Sequence, residues 1–155
     1  MSYGTQLRCM VCLALLIPVC LPLPVLAVGG GPVPTPVAPR SAEAEYNKGL
    51  QAKAMKRFSD AVGNFRQAVD LRPNFPEAWN ELGFALRQTG KYSEALNAYD
   101  QALRLRPNFP EALEYLGEAY VKLGRLDEAQ AILTRLSPLD GGKAKDLEEA
   151  IRAAK

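Results

Sequence analysis

The octapeptide LRPNFPEA occurs twice in this chain, at residues 71–78 and again at residues 105–112. The two copies lie 34 residues apart, and the sequences that follow them can be aligned position by position. An earlier and more divergent copy of the same period begins at Ala42. Three copies at one spacing restrict the chain to folds in which a short unit stacks on its neighbours, because such a unit cannot bury its apolar surface alone.

Within one period, the apolar residues indicate two helices joined by a tight turn. In residues 76–88, Trp79, Leu82 and Leu86 recur at steps of three and four, which places them on one helical face. Gly90 follows, and glycine is suited to the left-handed conformation that often ends a helix. A second stripe of the same spacing comes after it. The period therefore predicts a helical hairpin.

The octapeptide itself predicts the junction between two hairpins. A residue before proline is pushed out of the helical region, so the residues before both prolines are expected helix boundaries. Pro73 then ends one helix, and Pro76 can begin the next, where its missing N–H costs nothing. Glu77 places a carboxylate near the positive end of that helix dipole. Phe75 and its counterpart Phe109 are expected to fill the space between neighbouring repeats.

The pattern W-x2-LG-x2-L…A-x3-Y-x2-A…P resembles the tetratricopeptide repeat (TPR). Its positions are Trp79, Leu82, Gly83, Leu86, Ala95, Tyr99, Ala102 and Pro107. The resemblance extends over residues 42–140 and implies an all-α fold, a helical-hairpin solenoid wound into a right-handed superhelix. It also implies a concave groove, lined by the first helix of each repeat, that binds peptides or proteins.

The period divides the folded part into repeats at residues 41–75, 76–109 and 110–142. The first copy carries Lys48 where the others have leucine, and Lys56 where they have the turn glycine. Such changes are tolerable where one side of a unit lacks a neighbour. The first repeat is therefore expected to form one end of the stack.

A capping helix is predicted over residues 143–155, closing the other end with a polar outer surface. Asp146 followed by Glu149 resembles a capping box at its start. The apolar stripe of this helix consists of Leu147, Ala150, Ile151 and Ala154.

Four small residues are expected where the two helices of one repeat approach closely. They are Gly83 and Ala95 in the second repeat, with Gly117 and Ala129 in the third. Larger side chains at such contacts would hold the helices apart.

The N-terminal residues differ in composition from the repeats. Residues 1–27 combine a positive Arg8, an apolar run and the small residue Ala27, a pattern typical of a cleaved signal peptide. The alternative is an uncleaved membrane anchor formed by residues 10–28. Residues 28–40 are rich in glycine and proline and are interpreted as a linker. These features predict an exported protein, periplasmic or secreted, or else one anchored to the membrane.

The composition argues against catalysis, cofactors and nucleic acid. The chain has no histidine, and its cysteines, Cys9, Cys12 and Cys20, all lie in the signal segment. Without them the usual general base, thiolate nucleophile and metal ligands are missing. A formal net charge of +2 gives no basic surplus for binding phosphates. We therefore predict no enzyme activity and no metal or cofactor.

The resemblance places the binding groove on the first helices, where side chains point inward without belonging to the core. These positions are Tyr46, Leu50 and Lys53 in the first repeat, Asn80, Phe84, Arg87 and Gln88 in the second, and Glu114, Glu118, Val121 and Lys122 in the third.

Two features of this set have two interpretations each. Phe84 lies off the apolar stripe, so it is either an exposed anchor for a partner or packed against the first repeat. Lys53, Arg87 and Lys122 occupy equivalent or adjacent places in successive repeats. They form either a basic ladder opposed by acidic side chains of the third repeat or a solvated face of mixed charge.

Some members of the family clamp the C-terminal carboxylate of chaperone tails with lysine, asparagine and arginine side chains. The corresponding places here are Tyr46, Leu50, Glu81, Glu111 and Tyr115, none of which matches. The resemblance therefore does not extend to that ligand.

These observations predict a non-catalytic adaptor or scaffold that binds a protein or peptide segment in its groove, in the cell envelope or outside the cell. Two alternatives remain open. The protein is structural and self-associates end to end through its divergent first repeat, or it is an accessory subunit of an envelope enzyme or secretion complex.

Overall fold

A computed structural model describes residues 40–155. Within that range the chain forms seven α-helices and no strand, which confirms the all-α helical-repeat solenoid. The helices are α1 (Ala42–Ala54), α2 (Phe58–Leu71), α3 (Pro76–Gln88), α4 (Tyr92–Leu105), α5 (Pro110–Lys122), α6 (Leu126–Leu136) and α7 (Gly141–Ala153). The predicted signal peptide or anchor and all of the predicted linker except Arg40 lie outside the described residues.

Each repeat is a hairpin of two helices that bury their apolar stripes against each other and against the next hairpin. In the second repeat, Leu82 and Leu86 of α3 meet Ala95, Tyr99 and Ala102 of α4 in the core, and all five are buried. Burial of this surface between neighbours supplies most of the stability of such a stack.

The two octapeptides form the expected junctions. Helix α2 ends at Leu71 and α3 begins with Pro76 at its first turn, and the second copy joins α4 to α5 in the same way. The guanidinium of Arg72 lies 3.6 Å from the ring centre of Phe75, and Arg106 lies 4.6 Å from that of Phe109. Phe109 is buried and Phe75 packs against the core.

The arginine of each octapeptide also pairs with the first turn of the first helix in the repeat that it ends. Arg72 pairs with Glu43 of α1, and Arg106 pairs with Glu77 of α3. The octapeptide therefore closes one hairpin and opens the next.

The turn inside each hairpin uses a left-handed residue. Gly90 has φ 78°, Gly124 has φ 70°, and Lys56 takes the same conformation with φ 57° in the first repeat. A lysine in this region is strained because its Cβ crowds the backbone. The first repeat therefore keeps the left-handed turn although lysine replaces glycine there.

The predicted close approach within a repeat is present at Gly83 and takes another form at Gly117. A Cβ on Gly83 would lie 2.6 Å from Cε1 of Tyr99 in α4, which leaves no room for a methyl group. A Cβ on Gly117 would clash with a methyl carbon of Leu147 in α7, rather than with a residue of α6. The small residue of the third repeat therefore makes room for the closing helix.

Helix α7 packs on α5 and α6 and closes the stack, but it begins earlier than the predicted residue 143. Asp140 caps it, accepting hydrogen bonds from the backbone N–H groups of Gly142 and Lys143 through Oδ1 at 3.0 Å. The capping-box interpretation of Asp146 is wrong, because that residue lies inside the helix. Gly141 and Gly142 are poor helix formers, but they are tolerated in the first turn because Asp140 accepts hydrogen bonds from two of its backbone N–H groups.

The other end of the stack is polar. Helix α1 exposes Asn47, Lys48 and Gln51 on its outer surface. No helix within residues 40–155 is long and apolar enough to cross a membrane.

Candidate functional site

The first helices of the repeats form one continuous side of the stack, which we call the groove face. Three ion pairs connect α1, α3, α5 and α7, with one pair between each helix and the next. Lys53 Nζ of α1 lies 2.5 Å from Glu81 Oε2 of α3, and Arg87 Nη1 of α3 lies 2.5 Å from Glu118 Oε2 of α5. Glu114 of α5 accepts from Lys143 Nζ of α7 at 3.0 Å. Residues from every repeat and from α7 therefore meet on this face.

These pairs decide between the two interpretations of the basic residues. Lys53 and Arg87 are each engaged by a carboxylate of the following repeat, so neither presents an unopposed charge. Lys122 is exposed and forms no ion pair with any residue in the described range. The geometry favours a face of mixed, mutually neutralised charge with one cation left over at its C-terminal end.

Phe84 lies at the centre of the groove face and contacts all three repeats. Its ring centre is 6.2 Å from that of Phe58 and 5.4 Å from that of Tyr115. The cations of Lys53 and Arg87 lie 5.2 and 5.6 Å from the same centre. The ring is half-buried. Phe84 therefore packs against the first repeat, as one interpretation predicted, and still presents part of its ring.

Arg87 is held more firmly than the other cations of the face. Its guanidinium lies 5.4 Å from the ring centre of Tyr115, and its side chain is 13% exposed. Beneath it, burial raises the pKa of the Tyr99 hydroxyl, an effect that the positive charge of Arg87 only partly offsets. Burial likewise raises the pKa of Tyr115. The arginine thus rests on neutral tyrosines and one carboxylate.

The remaining predicted residues differ in how far they reach the surface. Tyr46 and Leu50 are half-buried on α1, and the ring of Tyr46 lies 4.8 Å from that of Phe75. Gln88 is exposed at the end of α3. Asn80 is only 4% exposed, and its Oδ1 accepts no hydrogen bond from the described part of the chain. Asn80 therefore contributes nothing to the accessible surface of the groove face.

A pocket of about 340 Å³ opens at the C-terminal end of the groove face, between α3, α5 and α7. We call it the C-terminal pocket. Its lining consists of Arg87, Glu118, Val121, Lys122, Ala150, Ala153 and Ala154. Four predicted groove residues thus converge with three alanines that sequence reasoning did not assign to the site. The available signal for Ala150 and Ala154 was the apolar stripe of α7, which was interpreted as packing surface, and Ala153 lies outside that stripe.

The acidic side chains of the groove face are arranged in ion pairs. Within residues 40–155 there is no group of three histidine, cysteine, aspartate or glutamate side chains placed to hold a metal ion. What the face can do is present apolar and aromatic surface on a rigid support.

Three family models match the repeated part of the chain. A model described as "TPR repeat" matches residues 85–124, and two described as "Tetratricopeptide repeat" match residues 46–96 and 112–147. Together they cover all three repeats. A search of curated proteins found no match.

The solved structures that resemble this chain include several TPR domains. The Arabidopsis OM64 TPR domain is 21% identical with a TM-score of 0.70, over 74% of this chain and 97% of that one. The first TPR of Spaghetti (RPAP3), bound to the HSP90 peptide SRMEEVD, is 21% identical with a TM-score of 0.68, over 73% and 92%. A mutant of MamA is 26% identical with a TM-score of 0.62, over 66% and 75%.

Proposed function

Because this chain belongs to the tetratricopeptide-repeat family, we propose that it is a non-catalytic adaptor that holds a segment of another protein on its groove face. Structures of the same fold support the proposal, since three of them contain an HSP90 or an Hsp70 ligand. Those ligands belong to those proteins. What we carry over to this chain is only that the fold can hold a segment of another protein.

The observation that carries the proposal is the preformed surface of the groove face. Tyr46, Leu50, Tyr115 and Val121 are half-buried and pack against the core, so each is fixed and still partly open to solvent. Phe84 is also half-buried, and its ring lies between those of Phe58 and Tyr115. The ion pairs between successive first helices brace this surface. A rigid apolar face loses little conformational entropy when a partner binds, which favours affinity.

The acidic chaperone tails are not supported as ligands of this chain. At the places that would clamp their carboxylates, Glu81 contributes a negative charge that is already paired with Lys53. Glu111 would add a second negative charge, and an anionic tail would be repelled. We propose instead a segment that carries few charges.

Site-specific photo-crosslinking tests the groove face. A photoreactive residue at Leu50 or Gln88 is expected to capture a partner from cell extract, because both positions lie on that face. The matched control is Asn97, which is exposed on α4, a second helix. Equal capture from Asn97 contradicts the proposal, since the groove face would then have no special role.

The end-to-end alternative finds less support than the adaptor. Stacking would bring together the outer surface of α1, which exposes Asn47, Lys48 and Gln51, and burying these groups without partners is costly. We therefore propose that the protein acts as a monomer. Light scattering over a concentration series tests this, and a mass that grows with concentration contradicts it.

We also propose that the protein is exported and acts in the cell envelope or outside the cell. The support is the sequence pattern of residues 1–27, a positive start followed by an apolar run and Ala27. Intact-mass analysis of the protein made in its own cells is expected to show cleavage near Ala27. An uncleaved mass in the membrane fraction would instead favour the anchor.

A further inference from the structure

The C-terminal pocket exists because the large apolar residues of α7 pack in the core, whereas its alanines line the pocket. Leu147 and Ile151 are buried against α5 and α6, whereas Ala150, Ala153 and Ala154 line the pocket. An alanine stripe facing α5 leaves a space that larger side chains would fill. Val121 supplies the facing apolar wall from α5.

The size of the pocket limits what it can hold. Its volume of about 340 Å³ lies at the small end of the range for ligand sites. The apolar part of the lining consists of Val121 and the three alanines, and the charged side chains of Arg87, Glu118 and Lys122 complete it. The space has room for an aliphatic side chain together with a neighbouring residue of the same segment, and the apolar part of its lining can contact the aliphatic group.

The rim of the pocket adds a charge preference. Arg87 and Glu118 neutralise each other at 2.5 Å. Lys122 remains at the rim, exposed and in no ion pair with any of residues 40–155. Because the ammonium group of Lys122 is exposed and in no such pair, a carboxylate of the partner could pair with it.

We propose that the C-terminal pocket receives one aliphatic side chain of the partner segment, and that Lys122 pairs with an acidic residue next to it. The inference rests on the proposed function and narrows it. It assigns recognition to the end of the groove face at α7 and names the partner chemistry as an aliphatic residue beside a carboxylate.

The test begins with peptide display. A library of random dodecapeptides is selected against the full chain, and enriched peptides are expected to share an aliphatic residue flanked by aspartate or glutamate. One enriched peptide is then synthesised with a fluorescent label, together with a version in which lysine replaces its acidic residue. Fluorescence anisotropy measures both against wild type and variants.

Two substitutions address the pocket directly. Ala150→Trp fills it and is expected to weaken binding about tenfold or more, as loss of a central anchor does. Lys122→Glu is expected to weaken the acidic peptide by about two- to fivefold, the scale of an exposed ion pair, and to favour the lysine version. The controls are Ala131→Trp on the exposed surface of α6 and Lys145→Glu on another side of α7. Circular dichroism checks that each variant keeps its helices.

The outcomes separate the pocket from the groove. If Ala150→Trp and Lys122→Glu bind the peptide like their controls while Phe84→Leu weakens it, the pocket assignment is overturned and the groove function stands. If the peptide binds every variant equally well, both fail. No enrichment from the library also overturns both. The inference is supported only if Ala150→Trp weakens peptide binding and Lys122→Glu binds the lysine version of the peptide better than the acidic one.

Discussion

The first and second repeats have the same backbone but different residues at positions that define the repeat. Glu45 is buried in α1 where Trp79 stands in α3, and Lys56 takes the turn conformation that Gly90 takes in the second repeat. The outer surface of the first repeat is polar, and Lys48 Nζ lies 2.8 Å from Glu45 Oε1 there. Positions near an open end of the stack therefore tolerate changes that an interior repeat would not.

One contact is the same in both repeats. A Cβ on Gly49 would clash with the Phe65 ring, just as one on Gly83 would clash with Tyr99. A glycine of the first helix against an aromatic ring of the second is thus the feature that the hairpin retains when others diverge. The comparison indicates that close approach of the two helices, rather than the composition of the turn, fixes the hairpin.

The largest effect is expected at this contact. Gly83→Ala places a methyl group inside the packing distance of a buried tyrosine ring, and overpacking of this kind costs about 2 kcal/mol. Urea unfolding followed by circular dichroism measures the change in the free energy of unfolding.

Two matched substitutions sharpen this result. Gly63 lies in α2 with open space around it, so Gly63→Ala is expected to stabilise the protein by about 0.5–1 kcal/mol through helix propensity. Gly117→Ala is expected to fall between the two, because the methyl groups of Leu147 can rotate aside more easily than a ring. If Gly83→Ala also stabilises, close approach is not what fixes the hairpin.

The hairpins, their junctions and the order of the repeats could be predicted from sequence because these features depend on local rules. Proline spacing set the boundaries at Pro76 and Pro110, and periodic apolar residues set the helical faces. The start of α7 could not be read in this way. Gly141 and Gly142 look like a helix break unless Asp140 is known to cap the turn, and that depends on three-dimensional placement.

The predicted groove residues all lie on the first helices of the repeats, but their accessibility was not foreseeable. Asn80 and Phe84 both follow from the helical pattern, yet one is buried and the other half-buried. Pairing across repeats decides which charges remain, as Glu81 neutralises Lys53. Such contacts join residues of different repeats, so the pattern within one repeat does not reveal them.

The next prediction compares the ion pairs at the two interfaces between repeats. Arg87 is 13% exposed, whereas Lys53 at the preceding interface is 31% exposed. Arg87→Glu brings two carboxylates together in a partly buried place and is expected to cost about 1.5 kcal/mol, against about 0.5 kcal/mol for Lys53→Glu. Thermal unfolding measures both.

The charge swap provides the control for this prediction. Arg87→Glu combined with Glu118→Arg is expected to recover most of the lost stability, because the pair is restored in reverse. Failure of the swap to recover stability would indicate that contacts of the arginine with Phe84 and Tyr115 matter more than its charge.

A smaller effect is expected at the turn where the repeats differ. Lys56→Gly relieves a left-handed lysine and is expected to stabilise the protein by about 1 kcal/mol. Gly90→Lys introduces the same strain into the second repeat and is expected to cost a similar amount. Denaturant midpoints measure both variants. If Lys56→Gly changes nothing, contacts of the lysine compensate for its backbone strain.

The smallest effect is expected at the octapeptide pair of Glu77 with Arg106. Partial burial raises the pKa of Glu77, but the hydrogen bonds from Arg106 and its own backbone N–H, with the charges of Arg106 and Arg72, outweigh this and leave the pKa below its usual value. A carboxyl group with a lowered pKa adds stability above its unfolded pKa of about 4.3 and loses it as pH falls through the folded value. Because the pair is well exposed, Glu77→Gln is expected to cost about 0.5 kcal/mol at pH 7 and less at pH 3.

Urea unfolding at the two pH values measures this difference. Glu111→Gln is the control, since Glu111 has the same place in α5 and forms no ion pair with the described residues. It is expected to leave stability almost unchanged at both pH values. An equal loss for Glu77→Gln at pH 7 and pH 3 would mean that the side chain acts through packing. The arginine of the octapeptide would then owe its repetition to its stacking on phenylalanine, the contact that Arg72 makes at 3.6 Å and Arg106 at 4.6 Å.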